Sequence, residues 1–71
     1  MLFTDISSTR TVRAFEKIGF WVSKYRGAKH IGMSNGSRKI TIPRANRLNP
    51  YTIKGIIRDA GLTDLEFKEL L

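Results

Sequence analysis

The chain contains no cysteine, which excludes a disulfide framework and a zinc site built from thiolates. It also lacks an apolar run of the length that a membrane-spanning helix needs. Its first residues, 1–6, combine neither a basic start nor an apolar segment of the kind that marks a secretory leader. These absences predict a cytoplasmic protein.

Acidic residues are few, and three of them, Asp5, Glu16 and Asp59, are scattered over separate predicted elements. A cluster of carboxylates that could hold Mg²⁺ is therefore not expected, which disfavours a two-metal nuclease. Glycine motifs that cradle phosphates and dinucleotide fingerprints are absent as well. The sequence thus predicts neither a metal nor a cofactor.

Positive charge is abundant and concentrated in one region. Twelve of the thirteen Lys and Arg lie from Arg10 to Arg58 against a single acid, Glu16, which leaves this segment at +11. A pI near 10.4 together with 41% apolar residues favours a folded nucleic-acid-binding domain over a disordered basic arm. An anionic membrane surface ranks lower, because no predicted helix joins a broad apolar face to a uniformly basic one.

Residues 1–71 are predicted to form a single domain, which at this size buries only about 60% of its unfolded surface. A first helix is predicted over about residues 9–18, between the N-cap candidates Ser7 and Ser8 and the stop at Gly19. Its apolar stripe comprises Val12, Ala14, Phe15 and Ile18.

Residues 20–26 have the aromatic and β-branched composition of a strand. Alternation alone leaves open whether Phe20 and Val22 or Trp21 and Tyr25 face the core. Trp21 and Tyr25 could also stack on unpaired bases, but in a domain this small a core or dimer contact is the expected role.

Asn35-Gly36 predicts a β-hairpin between residues 30–34 and 38–42, and Pro43 ends its second strand. A two-residue loop at Asn35-Gly36, or a symmetric four-residue loop around it, pairs Ser34 with Ser37, Gly32 with Lys39, Ile31 with Ile40 and His30 with Thr41. One face then carries Ile31, Met33, Ile40 and Ile42, and the other, solvated face carries His30, Gly32, Lys39 and Thr41. His30 is the only histidine of the chain. It is interpreted either as an acid-base residue beside a bound polyanion or as an ordinary surface residue.

A second long helix is predicted from the N-cap pair Asn49-Pro50 to Ala60, with Gly61 closing it. Its buried stripe comprises Ile53, Ile56, Ile57 and Ala60. A basic edge is formed by Lys54 and Arg58, which are spaced i and i+4. This edge either binds phosphates or is only solvated. Thr63 to Glu66 is the capping box of a last short helix, whose apolar residues Leu65, Phe67, Leu70 and Leu71 are expected to pack on the domain or on a partner.

The order α-β-β-β-α in a small basic domain is the layout of the double-stranded RNA-binding fold. This is an α+β fold in which helices cover one face of a three-stranded antiparallel sheet. Four segments occur here in a specific order and spacing: Gly19-Phe20, Gly27-Ala28-Lys29-His30, Ile40-Thr41-Ile42-Pro43, and Thr52 to Leu62. With them, nearly the whole chain resembles the HicA toxin family. The Gly-x-x-His step and the Ile-Ile-Arg-x-Ala-Gly-Leu-Thr sequence are the most specific pieces.

The resemblance implies a bacterial or archaeal toxin that cleaves mRNA and is neutralised by a HicB-type antitoxin. The family's catalytic histidine maps onto His30. The chain departs from the family's common pattern at Ala28 and Lys29, where Gly-Ser-His-His or Gly-Ser-x-His is common. It departs again at Ala45, where a second histidine often follows the proline of the third strand.

RNA cleavage without a metal suits these residues. A neutral imidazole takes the proton of a ribose 2′-OH, or an imidazolium protonates the leaving 5′-oxygen, while Lys or Arg stabilises the charge on the phosphate. Since one histidine serves both roles, we expect a slow enzyme, or one assisted by Lys29 or another basic group. The predicted RNA-binding residues are Lys24, Arg26, Lys29, Arg38, Lys39, Arg44, Arg47, Lys54 and Arg58.

Two other functions stay open on sequence grounds. The first is a non-catalytic RNA-binding module of the same fold, in which His30 is only a surface residue. The second is an interaction protein whose basic surface binds an acidic protein partner. A homodimer is left open in each case.

Overall fold

Three antiparallel strands and the helices packed on one of their faces make up the fold. The computed structural model describes residues 2–26 and 29–71, and for residues 24–26 it describes the backbone alone. The element order is α1 (Ser8–Glu16), β1 (Trp21–Arg26), β2 (His30–Ser34), β3 (Lys39–Pro43), α2 (Pro50–Asp59) and α3 (Asp64–Leu70). The sheet order is β1-β2-β3. This confirms the predicted α+β fold with a three-stranded antiparallel sheet, consistent with the double-stranded RNA-binding layout.

Helix α1 begins and ends at the local signals in the sequence. The hydroxyl of Ser7 accepts a hydrogen bond from the backbone N–H of Arg10 at 3.1 Å, which caps the N-terminus. Gly19 follows the helix with a φ of 94°, a conformation that glycine adopts without strain. The helix ends at Glu16, two residues before the predicted end, and Ile18 is 40% exposed. The prediction that Ile18 belongs to the buried stripe is therefore wrong.

The two C-terminal helices have the caps that the sequence predicts. The side chain of Asn49 accepts a hydrogen bond from the N–H of Tyr51 at 2.8 Å, and Thr63 and Glu66 form a reciprocal capping box. The predicted stripe of α2 is buried and comprises Ile53, Ile56, Ile57 and its C-cap Ala60. Leu65, by contrast, is 60% exposed and does not pack on the domain, so for this residue the alternative of a contact with a partner stays a prediction.

Helix α3 packs on the domain through Phe67, which is fully buried. The ring of Phe67 lies 5.2 Å from that of Phe3 and 5.4 Å from that of Phe15, measured between centroids. The ammonium of Lys17 donates a hydrogen bond to the carbonyl of Leu70 at 2.9 Å and so ties the end of α1 to the end of α3. The last helix thus completes the core of the domain.

The β2–β3 hairpin has the predicted faces but a different register. Ser34 pairs with Lys39, and further along the ladder the pairs are Met33 with Ile40, Gly32 with Thr41, Ile31 with Ile42 and His30 with Pro43. The turn therefore spans the four residues 35–38. The predicted pairs, including His30 with Thr41 and Ile31 with Ile40, are wrong by two residues.

The side chain of Asn35 stabilises the four-residue turn at 35–38. Its side-chain oxygen accepts hydrogen bonds from the backbone N–H groups of Ser37 and Arg38 at 2.9 and 2.7 Å. A shift of two residues preserves the alternation of faces. The buried face accordingly carries the predicted residues Ile31, Met33, Ile40 and Ile42, which meet the helices in the core.

Strand β1 settles the alternative that its sequence left open. Phe20, just ahead of the strand, is buried, and Val22 packs against the core, whereas Trp21 is 51% exposed. A core role for Trp21 is therefore wrong. The pairing with β2 changes register between Val22 and Lys24, which makes Ser23 the extra residue of a β-bulge. The side chain of Tyr25 and residues 27–28 lie outside the described residues.

Candidate functional site

His30 is the first residue of β2 and lies on the face of the sheet that the helices leave open. Its side chain is exposed, while the next residue, Ile31, is buried under the helices. The backbone of His30 pairs with Arg26 of β1 on one side and with Pro43 of β3 on the other. The central strand thus fixes the backbone of His30 at one end of the sheet, where its imidazole is exposed to a ligand.

Two basic residues flank His30 at this end of the sheet. The backbone N–H of Arg44 donates to the carbonyl of Lys29 at 2.7 Å, one step beyond the pair of His30 with Pro43. The side chains of Lys29 and Arg44 are both exposed. Hydrogen bonding therefore brings the backbones of these three residues together, although Lys29 and Arg44 lie far apart in the chain.

The segment after β3 is anchored on the start of α1. The backbone N–H of Ser8 donates to the carbonyl of Ala45 at 3.0 Å, and the hydroxyl of Ser8 donates to the same carbonyl at 3.2 Å. The N–H of Ala45 donates back to that hydroxyl at 3.3 Å. Ser8 is 7% exposed, so these bonds are shielded from water. They hold Arg44, the preceding residue, beside the His30 end of the sheet.

The open face continues from His30 toward the turn as a shallow depression of about 310 Å³. Its lining includes Trp21, Ser23, Gly32, Ser34, Lys39 and Thr41. In their described ranges, β1, β2 and β3 contain no Asp or Glu. The open face therefore carries hydroxyl groups, the ammonium of Lys39, the imidazole of His30 and one large aromatic side chain, Trp21.

Arg38, one of the predicted RNA-binding residues, contacts the helix layer. Its guanidinium donates to the carbonyl of Asp59 at 3.3 Å, at the C-terminal end of α2, where the helix dipole favours a cation. A Cβ added to Gly61, which has a φ of 78°, would lie 2.7 Å from Nε of Arg38. Arg38 thus joins the hairpin turn to the end of α2.

The other predicted RNA-binding residues are divided between the two layers. Lys39 is exposed on the open face of the sheet, whereas Lys54 and Arg58 are exposed on α2, in the helix layer. Arg47 forms an exposed ion pair with Asp5 at 3.2 Å. The side chains of Lys24 and Arg26 lie outside the described residues, although both backbones belong to β1.

Among residues 2–26 and 29–71, no three His, Asp or Glu side chains lie close enough together to hold a metal ion. Within the same part of the chain, none of the helices has the length and apolar character needed to cross a bilayer.

A scan against protein-family models matches residues 8–62 to the model of the HicA toxin of bacterial toxin-antitoxin. The match covers more than half of the chain and includes α1, the three strands and α2. The chain belongs to the HicA toxin family. As a HicA toxin it is the toxin of a toxin-antitoxin system and has an antitoxin as its partner. Neither the comparison with curated proteins nor the comparison with solved structures finds a match.

The HicA match ends at Leu62, ahead of the last helix. Helix α3 nevertheless contributes Phe67 to the same core as Phe15 of α1. The core of this HicA toxin therefore extends beyond the matched segment. His30 and the whole sheet lie inside the matched segment.

Proposed function

We propose that this HicA toxin is an endoribonuclease that cleaves mRNA in the cytoplasm by metal-independent acid-base catalysis through His30. The observation that carries the proposal is the position of His30, exposed on the open face of a sheet whose described strands contain no acidic residue. A polyanion approaches such a face favourably, and imidazole is the side chain that exchanges protons near neutral pH. A HicB-type antitoxin that covers this face is the proposed inhibitor.

The proposed reaction uses a hydroxyl group of the RNA as the nucleophile. Imidazole of His30 accepts the proton of the ribose 2′-OH, and the oxygen attacks the adjacent phosphorus. The bond from phosphorus to the 5′-oxygen breaks, and that oxygen takes up a proton from the imidazolium or from a nearby basic group such as Lys29. The products are a 2′,3′-cyclic phosphate and a 5′-hydroxyl.

Lys29 is the proposed phosphate ligand nearest to the reacting group. It directly precedes His30, and its side chain is exposed. Arg44 lines a hollow beside α1 with Thr9 and Val12, so any phosphate that it contacts lies away from the imidazole. Lys39, further along the open face, and Lys54 and Arg58, in the helix layer, would contact more distant phosphates of a long RNA.

Replacement of His30 tests this function. We expect His30→Ala to reduce cleavage of a long RNA by roughly 10²- to 10⁴-fold, because the acid-base group is removed. Thermal unfolding and RNA binding should stay close to wild type, since the side chain is exposed and buries no apolar surface. Cleavage is measured on end-labelled RNA, and the product ends are identified by mass spectrometry.

Chelation provides the second arm of the same experiment. Cleavage by the wild type should be the same with and without EDTA, because no step requires a metal. Loss of activity in EDTA, or an alanine variant as active as the wild type, would contradict the proposal. A protein that binds RNA but does not cut it would instead be the non-catalytic RNA-binding module.

A further inference from the structure

We infer that the open sheet face of this toxin binds an unpaired nucleobase by stacking on Trp21, so that the substrate is single-stranded RNA running from Trp21 toward His30. The inference rests on the proposed function for the reaction at His30, but it concerns a separate contact at the other end of the sheet. Four observations carry it: the position of Trp21, the shape of the depression, the charge of the face and the distance to His30.

Trp21 is held on the surface by its neighbours in the chain. Phe20 and Val22 face the core, and alternation therefore sends the side chain of Trp21 to the open face, where it is 51% exposed. The indole ring lies next to the hairpin turn, since a Cβ built on Gly36 would lie 3.8 Å from Cη2 of the indole. Because the indole already packs against the turn, a ligand that stacks on it restricts the side chain of Trp21 little further, and the loss of conformational entropy is small.

The depression beside Trp21 has the size and polarity to receive a planar base. Gly32 lies in the middle of β2 and contributes no side chain, and a glycine inside a strand often marks a close approach by a ligand. Ser23 and Thr41 line the same depression, and their hydroxyls can hydrogen-bond to the edge of a base. The bulge residue Ser23 also donates from its hydroxyl to the carbonyl of Gly32 at 3.4 Å.

The charge of the face favours a nucleic acid strand. Lys39 lines the depression, and Lys29 lies at the His30 end, while the described strands contain no Asp or Glu. An acidic peptide would also be attracted by the positive charge, but its carboxylate side chains cannot stack on the exposed indole. Aromatic stacking combined with positive charge is the mode by which proteins bind single strands.

The distance along the sheet fits a short single strand. Trp21 pairs with Ser34, and His30 lies four residues from Ser34 on β2, which corresponds to roughly 13 Å. A few nucleotides of an extended strand cover that distance. In a duplex the bases are paired and stacked on each other, so none is available for Trp21. The stacking contact therefore selects single-stranded RNA.

Fluorescence of Trp21, the only tryptophan of the chain, tests the contact directly. The protein is titrated with 2′-O-methyl hexaadenosine, which lacks a reactive 2′-OH and cannot be cleaved by the proposed mechanism. We expect strong quenching. An abasic strand of the same length and charge is the matched control, and it should quench little because it has no ring to stack.

Variants measure the contribution of the indole to affinity, with anisotropy of a labelled 2′-O-methyl strand as the readout. Trp21→Ala should weaken binding by roughly 5- to 150-fold, the value expected for loss of one stacked base. Trp21→Phe should retain most of the affinity. Tyr51→Ala is the control, since Tyr51 is 70% exposed on α2 and should not affect binding.

Each outcome decides a claim. Equal quenching by the abasic strand or by polyglutamate would overturn the inference and indicate a face that binds by charge alone, as an acidic protein partner would. No quenching, together with cleavage of long RNA by the wild type, would overturn the inference and leave the proposed nuclease intact. Quenching without cleavage would support the stacking site and overturn the nuclease.

Discussion

Adjacent residues of β3 have opposite surroundings because successive side chains of a strand point to opposite faces. Ile40 is 3% exposed and packs under the helices, whereas Thr41, the next residue, is exposed beside the depression. The contribution of a residue to stability and its access to a ligand therefore change from one position to the next. This separation lets the two be tested independently.

We predict that Ile40→Ala lowers the free energy of unfolding by roughly 2 to 5 kcal/mol, because it leaves a cavity in the core. Thr41→Ala should cost much less, since its side chain is exposed. Denaturation midpoints of the two variants give the comparison. The reverse order would mean that the face with Thr41 and His30 is the buried one.

At the scale of the elements, the stability of helix α3 depends on its N-terminal cap. Helix α3 has seven residues, too few to be stable in isolation, and it is anchored by Phe67 and by its capping box. In this box the carboxylate of Glu66 accepts the N–H of Thr63 at 2.9 Å, and the hydroxyl of Thr63 accepts the N–H of Glu66 at 3.2 Å. The hydrogen bond from the backbone of Thr63 lowers the pKa of Glu66 below its ordinary value of 4.5, and hydrogen bonding with the side chain of Thr63 lowers it further by a smaller amount.

The capping box predicts a pH dependence of stability. Because the pKa of Glu66 is lower in the folded state, its stabilising effect is complete above pH 4.5 and is lost as the pH falls through the lowered pKa. Glu66→Gln should therefore be less stable than the wild type at neutral pH, and the difference should shrink in acid. Thermal melting of both proteins across this range provides the measurement. A difference that does not vary with pH would exclude a role for the charge.

On the scale of the whole molecule, charge is distributed unevenly. The formal net charge is +7, and the acidic residues of the described elements lie on the helices, on α1, α2 and α3. The described strands, by contrast, contain no Asp or Glu. Long-range attraction should orient an RNA strand toward the open face before any specific contact forms.

We predict a strong salt dependence of RNA binding. If six phosphates are contacted, log K should fall against log salt with a slope of about −4 for a single strand. Binding is measured with the His30→Ala variant so that the RNA stays intact. A flat response would rule out binding through phosphates.

Two lysine variants locate the contacts responsible for that slope. Lys39→Gln, on the open face, should make the slope shallower by about 0.7, the value for one phosphate of a single strand. Lys68→Gln removes the same charge from the exposed surface of α3, where no phosphate contact is proposed, and is the matched control, with a smaller effect expected. An equal effect of both would contradict the location of the contact on the open face.

Much of the fold was predictable because its signals are local. Ser7, Asn49 and Thr63 cap the helices through residues two or three positions away, and Gly19 and Gly61 end them. The hairpin register was not predictable in the same way. Two registers that differ by two residues bury the same side chains, so alternation cannot distinguish them, and the hydrogen bonds of Asn35 decide.

The sequence by itself determined the element order, the buried face of the hairpin and the exposure of His30, because caps, turns and alternation act over a few residues. The tertiary structure decided that Phe20, not Trp21, enters the core, since that depends on the space left by Phe15 and its neighbours. It also decided that Arg44 adjoins Lys29 and His30. Contacts between distant residues form only when the strands pair, and no local pattern encodes them.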